Sequence, residues 1–126
     1  MEKIWLKNYP KGVAPEINLN QYQNLGEVLE EACRNNKSRI AYSNMGVDLT
    51  YEQVSQKAEE FAAFLQNELK LRKGDRIAIQ MPNLLQFPVA IFGAFKAGLT
   101  VDNTNPLYTA SEMEHQFKDS GAKAIV

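Results

Sequence analysis

Between Gly74 and Glu114 the chain reads GDRIAIQMPNLLQFPVAIFGAFKAGLTVDNTNPLYTASEME, and its pattern of apolar residues and breakers admits few folds. Asp75 to Met81 suit a strand with Ile77 and Ile79 on one face. Val89 to Ala97 are apolar at nearly every position, as in a helix buried on more than one side, whose cover should exceed what 126 residues supply. Thr100 to Asp102 suit a short strand. Thr109, with Glu112 three residues on, is the cap of a further helix that turns Met113 and Phe117 inward. Gly98 and Gly121 read as helix stops, and Lys123 to Val126 as another strand. With the helix expected after Thr50, the order is αβαβαβ, which argues for a parallel sheet with right-handed crossovers and helices on its faces. The expected fold class is α/β, a partial parallel sheet with flanking helices plus a small hairpin. Pro88 complicates the buried helix: if Asn83 caps it, proline falls where an N–H should bond, so either the first turn is distorted or the regular helix begins nearer Phe87.

Upstream, residues 1–23 contain Pro10, Gly12 and Pro15 and show neither a helical nor a two-residue period. They read as an extended arm that Trp5, Leu6, Tyr9, Ile17 and Tyr22 pin to an α/β unit of residues 24–126. Asn24 and Glu27 form a capping box, followed by an apolar stripe of Leu25, Val28, Leu29, Ala32 and Cys33. Arg39 to Asn44 and Val47 to Thr50, separated by Met45-Gly46, suit a hairpin whose Gly46 takes a positive φ. Thr50 and Gln53 then cap a helix with Val54, Ala58, Phe61, Ala62, Leu65 and Leu69 at helical spacing, which Gly74 closes after Lys70, Arg72 and Lys73 have met its negative end.

Fourteen basic against fifteen acidic side chains leave a net charge of -1, so no field favours nucleic acid. The single cysteine, Cys33, excludes an internal disulfide framework and a Cys-based metal site, and on an apolar helix face it acts as a small hydrophobe. The amino terminus, MEKIWLKNYPKG, lacks the apolar core of a secretory signal, and the run Phe87 to Phe95 is far short of the roughly 20 residues a spanning helix needs. A cytoplasmic protein follows, at most peripheral to the inner membrane.

Chemistry-bearing patterns are sparse. No G-x-x-x-x-G-K-[ST] or G-x-G-x-x-G loop is present, and the seven glycines are dispersed as turns and stops. Glu30/Glu31 and Glu59/Glu60 are sequence neighbours that diverge on a helix, as on a solvated face. His115 has Glu112 three residues before and Asp119 four after, but without a nucleophile or further ligands an exposed helix histidine is the plainer reading. No catalytic or metal-binding residue is assigned. The weak ligand-side candidates are Asn103, Asn105 and Tyr108, in the loop that leaves the second parallel strand at the sheet edge where ligands usually lie. The same residues serve equally to turn the backbone.

Particular residues carry a family resemblance: Trp5-Leu6, Tyr9-Pro10, Glu16-Ile17-Asn18 and Tyr22 in the arm; Asn44-Met45-Gly46 and Thr50 at the hairpin; Lys73-Gly74-Asp75-Arg76, Met81-Pro82-Asn83, Phe92-Gly93, Ala97-Gly98, Asn105-Pro106-Leu107-Tyr108-Thr109, Glu114-His115-Gln116 and Asp119-Ser120-Gly121-Ala122. Together they resemble the acyl-CoA synthetases of the adenylate-forming superfamily, specifically the bacterial long-chain fatty-acid CoA ligases. The resemblance implies the first part of a large amino-terminal domain in an acid-thiol ligase that uses ATP, Mg²⁺ and coenzyme A to convert a fatty acid to its thioester through an acyl-adenylate. It also implies that the Ser/Thr/Gly-rich phosphate loop, the magnesium-binding acid and the adenylation lysine lie downstream of Val126, so none maps onto this sequence. The expectation is an inactive scaffold that binds no cofactor itself, has the remainder of its own chain as partner, and self-associates when isolated. The rivals are a freestanding α/β binding or regulatory module, and a piece of a relative such as a coumarate-CoA ligase.

Overall fold

Two separate sheets organise residues 3–126, which are the residues described by the computed structural model. The smaller is the hairpin β1 (Ile40–Asn44) and β2 (Val47–Thr50), antiparallel with Asn44 opposite Val47. Its turn places both Met45 (φ 49°) and Gly46 (φ 79°) in the left-handed region, where only Gly46 was expected. Two successive positive φ values match the right-handed twist of the flanking strands. Arg39 lies outside the strand, its N–H donating to the Asn36 carbonyl.

The larger sheet has three parallel strands in the order β4 (Thr100–Asn103), β3 (Arg76–Ile79) and β5 (Ala124–Ile125). Ile77 aligns with Val101 on one side and Ala124 on the other. Regular β3 is shorter than Asp75 to Met81, yet the ladder runs on: Gln80 N–H donates to the Val126 carbonyl (2.7 Å) and Val126 N–H to Ala78 (3.0 Å).

The helices are α1 (Leu25–Asn36), α2 (Tyr51–Asn67), α3 (Gln86–Lys96) and α4 (Ala110–Ser120). Asn24 Oδ1 accepts from Glu27 N–H, but the Glu27 carboxylate reaches back one residue further than a capping box requires, to Gln23 N–H. At Thr50 the box is complete, with Gln53 Oε1 on the Thr50 N–H and Thr50 Oγ1 on the Gln53 N–H. Val54, Ala58, Ala62 and Leu65 bury the α2 stripe, whereas Leu69 is exposed.

Lys70, not Gly74, reverses the chain after α2: it adopts φ 55°, and Leu71 N–H returns to the Leu65 carbonyl. No basic residue occupies the last turn of α2, and Gly74 (φ 88°) serves the turn into β3. Burying Leu71 draws the backbone back and holds a non-glycine residue in a conformation it rarely adopts. Pro88 is the third residue of α3, in the first turn, where no intrahelical acceptor faces its missing N–H. Regular helix therefore begins beside Phe87, and the proline costs little. Gly98 (φ 78°) ends α3: its N–H donates to Phe95 and that of Leu99 to Ala94, the paired bonds of a Schellman motif.

The main core joins Ala62, Leu65, Leu71, Ile77, Ala94, Ala97 and Leu99, and a second cluster joins Leu29, Cys33 and Val54. Fully burying Leu65 or Ile77 contributes about 1.5–3 kcal/mol each. Every residue from Phe87 to Leu99 is at least partly covered, by α1, α2, β3 and β4 of this chain, so α3 needs no outside element for most of its cover. Only Leu29 and Cys33 of the α1 stripe are buried; Leu25 and Val28 face solvent and Ala32 is half-buried. The arm is not pinned as expected. Ile4–Asn8 form a 3₁₀ turn, Trp5, Tyr9 and Ile17 are exposed, the last at 83%, and only Leu6 and Tyr22 are partly covered. Met113 and Phe117 are half-buried, and α4 buries no residue.

Candidate functional site

The carboxyl ends of β3, β4 and β5 meet at Gln80, the loop from Asn103 to Tyr108, and Val126. Thr104, buried, extends the ladder through its N–H to the Ile79 carbonyl (3.0 Å). Asn105 is committed to the backbone: its Oδ1 accepts from Leu107 N–H (3.0 Å), and its carbonyl accepts from Tyr108 N–H (3.1 Å) and from Gln80 Nε2 (3.3 Å). It is a turn former. Asn103 is exposed, with its carbonyl accepting from Gln116 Nε2 (3.4 Å). Tyr108 is exposed and lines an open cleft of ≈ 460 Å³ with Ser111, Glu112, His115, Gln116 and Asp119.

His115 lies in that cleft, and the neighbouring Glu112 is engaged elsewhere. The Glu112 carboxylate is taken up by Thr109, accepting from its hydroxyl (2.7 Å) and its N–H (2.8 Å), and these bonds hold its carboxyl below the usual range. Among the described residues no group of three or more His, Cys, Asp or Glu could hold a metal ion.

Gln116, Asp102 and Gln80 were not anticipated. Gln116 Nε2 reaches Asp102 Oδ1 (2.5 Å), Thr104 Oγ1 (3.3 Å) and the Asn103 carbonyl, tying α4 to the end of β4. A signal for it existed in the spacing: Met113, Gln116, Phe117 and Ser120 fall on one helical face, and an amide inside an inward stripe asks for a partner.

A larger opening lies elsewhere. A cavity of ≈ 860 Å³ between the start of α1 and the end of α3 is lined by Asn24, Lys73, Phe95 and Gly98 among others. Lys73 and Gly98 precede β3 and β4, which places it at the amino-terminal edge of the sheet, opposite the edge where open parallel sheets bind ligands. Cys33 is buried, its thiol donating to the Tyr51 carbonyl (3.2 Å). Burial raises its pKa and outweighs Lys96, a cation that only the tertiary structure brings near. That lysine is engaged by Glu59 (3.2 Å) and Glu30 (3.4 Å), which link three helices rather than activate a nucleophile.

Comparison with known proteins places this geometry. The family model described as AMP-binding enzyme matches residues 29–126. Over all 126 residues the chain is 50% identical to a long-chain-fatty-acid–CoA ligase of Haemophilus influenzae, covering 100% of this chain and the amino-terminal 22% of that protein. Among solved structures it is similar to a fatty acyl CoA synthetase of Mycobacterium tuberculosis (32% identity, TM-score 0.75, covering 81% of this chain and 20% of the other). It is similar also to a benzoate CoA ligase of Burkholderia xenovorans LB400 (26% identity, TM-score 0.77, covering 82% and 21%). The chain thus spans about a fifth of the length of the relatives it matches. With the family match running through α2, both parallel crossovers and β5, the chain belongs to the AMP-binding enzymes.

Proposed function

We propose that this chain is the amino-terminal part of a long-chain fatty-acid CoA ligase, an acid-thiol ligase that uses ATP to activate a fatty carboxylate as its adenylate and then transfers the acyl group to the thiol of coenzyme A. The observation that carries this reading is the 50% identity to the Haemophilus influenzae ligase over the whole chain, arm included. A carboxylate resists thiol attack, and the mixed anhydride supplies a better leaving group. Mg²⁺ and ATP belong to the whole enzyme. The donor set here does not suit them, since no acidic or histidine cluster and no glycine-rich cradle is present among the described residues, and no reaction step is assigned to this segment.

The segment acts as scaffold. β3 and its neighbours begin the sheet, and the Asn103–Tyr108 loop marks its ligand-side edge, where Asn103 and Tyr108 retain free side-chain groups while Asn105 holds the turn. Exposed Ile125 and Val126 beside an open strand edge support self-association of the isolated segment. Among the described residues no helix is long and apolar enough to cross a membrane, which fits a cytoplasmic enzyme that meets the inner membrane only at its surface.

The test is thioester formation by the full-length protein with ATP, Mg²⁺, coenzyme A and a panel of carboxylates. Long-chain fatty acids should be converted in preference to benzoate or coumarate, and the 126-residue chain alone should release no pyrophosphate. Preference for an aromatic acid, or turnover by the short chain, would overturn the reading.

A further inference from the structure

We propose that Gln116 is a positioning residue for the ligase reaction: its side-chain amide, reaching across from α4, holds the Asn103–Tyr108 loop in the place from which the sheet's carboxyl edge meets substrate. The inference deepens the ligase reading and rests on it. In an open parallel sheet the loops that leave the carboxyl ends of the strands are the ones that meet ligands, and this loop leaves β4 beside the central strand β3. Asn103 and Tyr108, its ligand-side candidates, ride on the backbone that Gln116 holds.

Gln116 Nε2 donates to three successive residues: Asp102 Oδ1 (2.5 Å), the Asn103 carbonyl (3.4 Å) and Thr104 Oγ1 (3.3 Å). Thr104 is 4% exposed and is the one buried polar residue among those described, so its hydroxyl depends on partners that the fold supplies. The opposite flank of the loop is held by β3. Thr104 N–H donates to the Ile79 carbonyl (3.0 Å), and Gln80 Nε2 to the Asn105 carbonyl (3.3 Å).

These braces exceed what a turn requires. Asn105 closes the turn alone, its Oδ1 accepting from Leu107 N–H and its carbonyl from Tyr108 N–H. The two glutamine amides add nothing to the shape of that turn; they fix where the finished turn stands relative to β3 and α4. A loop placed before substrate arrives costs no reorganisation during turnover, and a small displacement of a group near the reacting atoms slows it. Every partner of Gln116 Nε2 is an acceptor, so the position needs donor capacity. A lysine supplies three donors at comparable reach, a glutamate none when ionised, and a methionine keeps the volume without any.

The test is steady-state thioester formation by the full-length enzyme with a long-chain fatty acid, ATP, Mg²⁺ and coenzyme A, each variant assayed where its urea transition shows it folded. Gln116→Met and Gln116→Glu should each lower kcat about tenfold, whereas Gln116→Lys should stay within about threefold of the unmodified enzyme. Should Gln116→Met fail to fold, Gln80→Met, which removes the brace from β3, should lower kcat in the same direction. The inference is overturned if folded Gln116→Met and Gln116→Glu keep full kcat and change only the urea midpoint, as a purely structural amide would, or if Gln116→Lys is as slow as Gln116→Met. No thioester from the unmodified enzyme would overturn the ligase reading and this inference with it; normal turnover with unchanged variants would overturn this inference alone.

Discussion

Gly93 sits where α3 crosses α2, and a Cβ there would stand 2.8 Å from Phe61 Cδ1 and 2.9 Å from the Ala58 carbonyl oxygen. A phenyl ring can tilt away, but a helix carbonyl cannot. Alanine gains about 1 kcal/mol of helix propensity over glycine, while overpacking costs about 1–3 kcal/mol, and the backbone contact decides the sign. Gly93→Ala should therefore destabilise the protein by up to about 2 kcal/mol, read as a lower urea midpoint at unchanged slope. Phe92-Gly93 was legible as a motif, yet its reason was not. A glycine inside an apolar helix advertises close approach only once the facing helix is known. Cys33 teaches the converse: burial at an apolar face was readable from spacing, but the nearby Lys96 comes from an element more than sixty positions away in the chain.

The elements differ in how much of the fold leans on them. Thr50 caps the helix that carries Ala62 and Leu65 into the main core and Val54 into the second, whereas Thr109 caps one that buries nothing. Thr50→Ala should lower global stability by about 1 kcal/mol, whereas Thr109→Ala should shift the same urea midpoint by less than about half of that. Caps, the Met45-Gly46 turn and the stops at Gly98 and Gly121 were readable because each is a bargain between neighbours in sequence. The end of α2 was not, because the reversal at Lys70 follows from burial of Leu71, and nothing in lysine's own preference signals it.

Across the whole molecule, the chain's last strand is tied to the entrance of the first parallel one. Lys123 Nζ lies 2.6 Å from Asp75 Oδ1, and Asp75 also accepts from Arg72 N–H (2.8 Å). The lysine first, then the backbone donor, hold the Asp75 carboxyl below its ordinary value. A carboxylate with a depressed folded pKa stabilises the fold above its unfolded value, about 3.9, and loses that contribution as pH falls through the lower folded value. Asp75→Asn should therefore show a shallower fall in urea midpoint than the unmodified protein as pH is lowered below about 4, with the two profiles parallel above about 6. Equal slopes in acid would remove this link from the account. What the amino-acid sequence determined by itself was the set of α-helices and strands, their order and most of their punctuation, since these rest on hydrogen bonds and dihedral preferences within a few residues. Only the tertiary structure decided that β3 lies between β4 and β5, that the arm side chains Trp5, Tyr9 and Ile17 stay wet, and that Gln116 ties α4 to the end of β4. Burial and pairing depend on which surfaces arrive opposite one another, and that is fixed by packing among residues far apart in the chain.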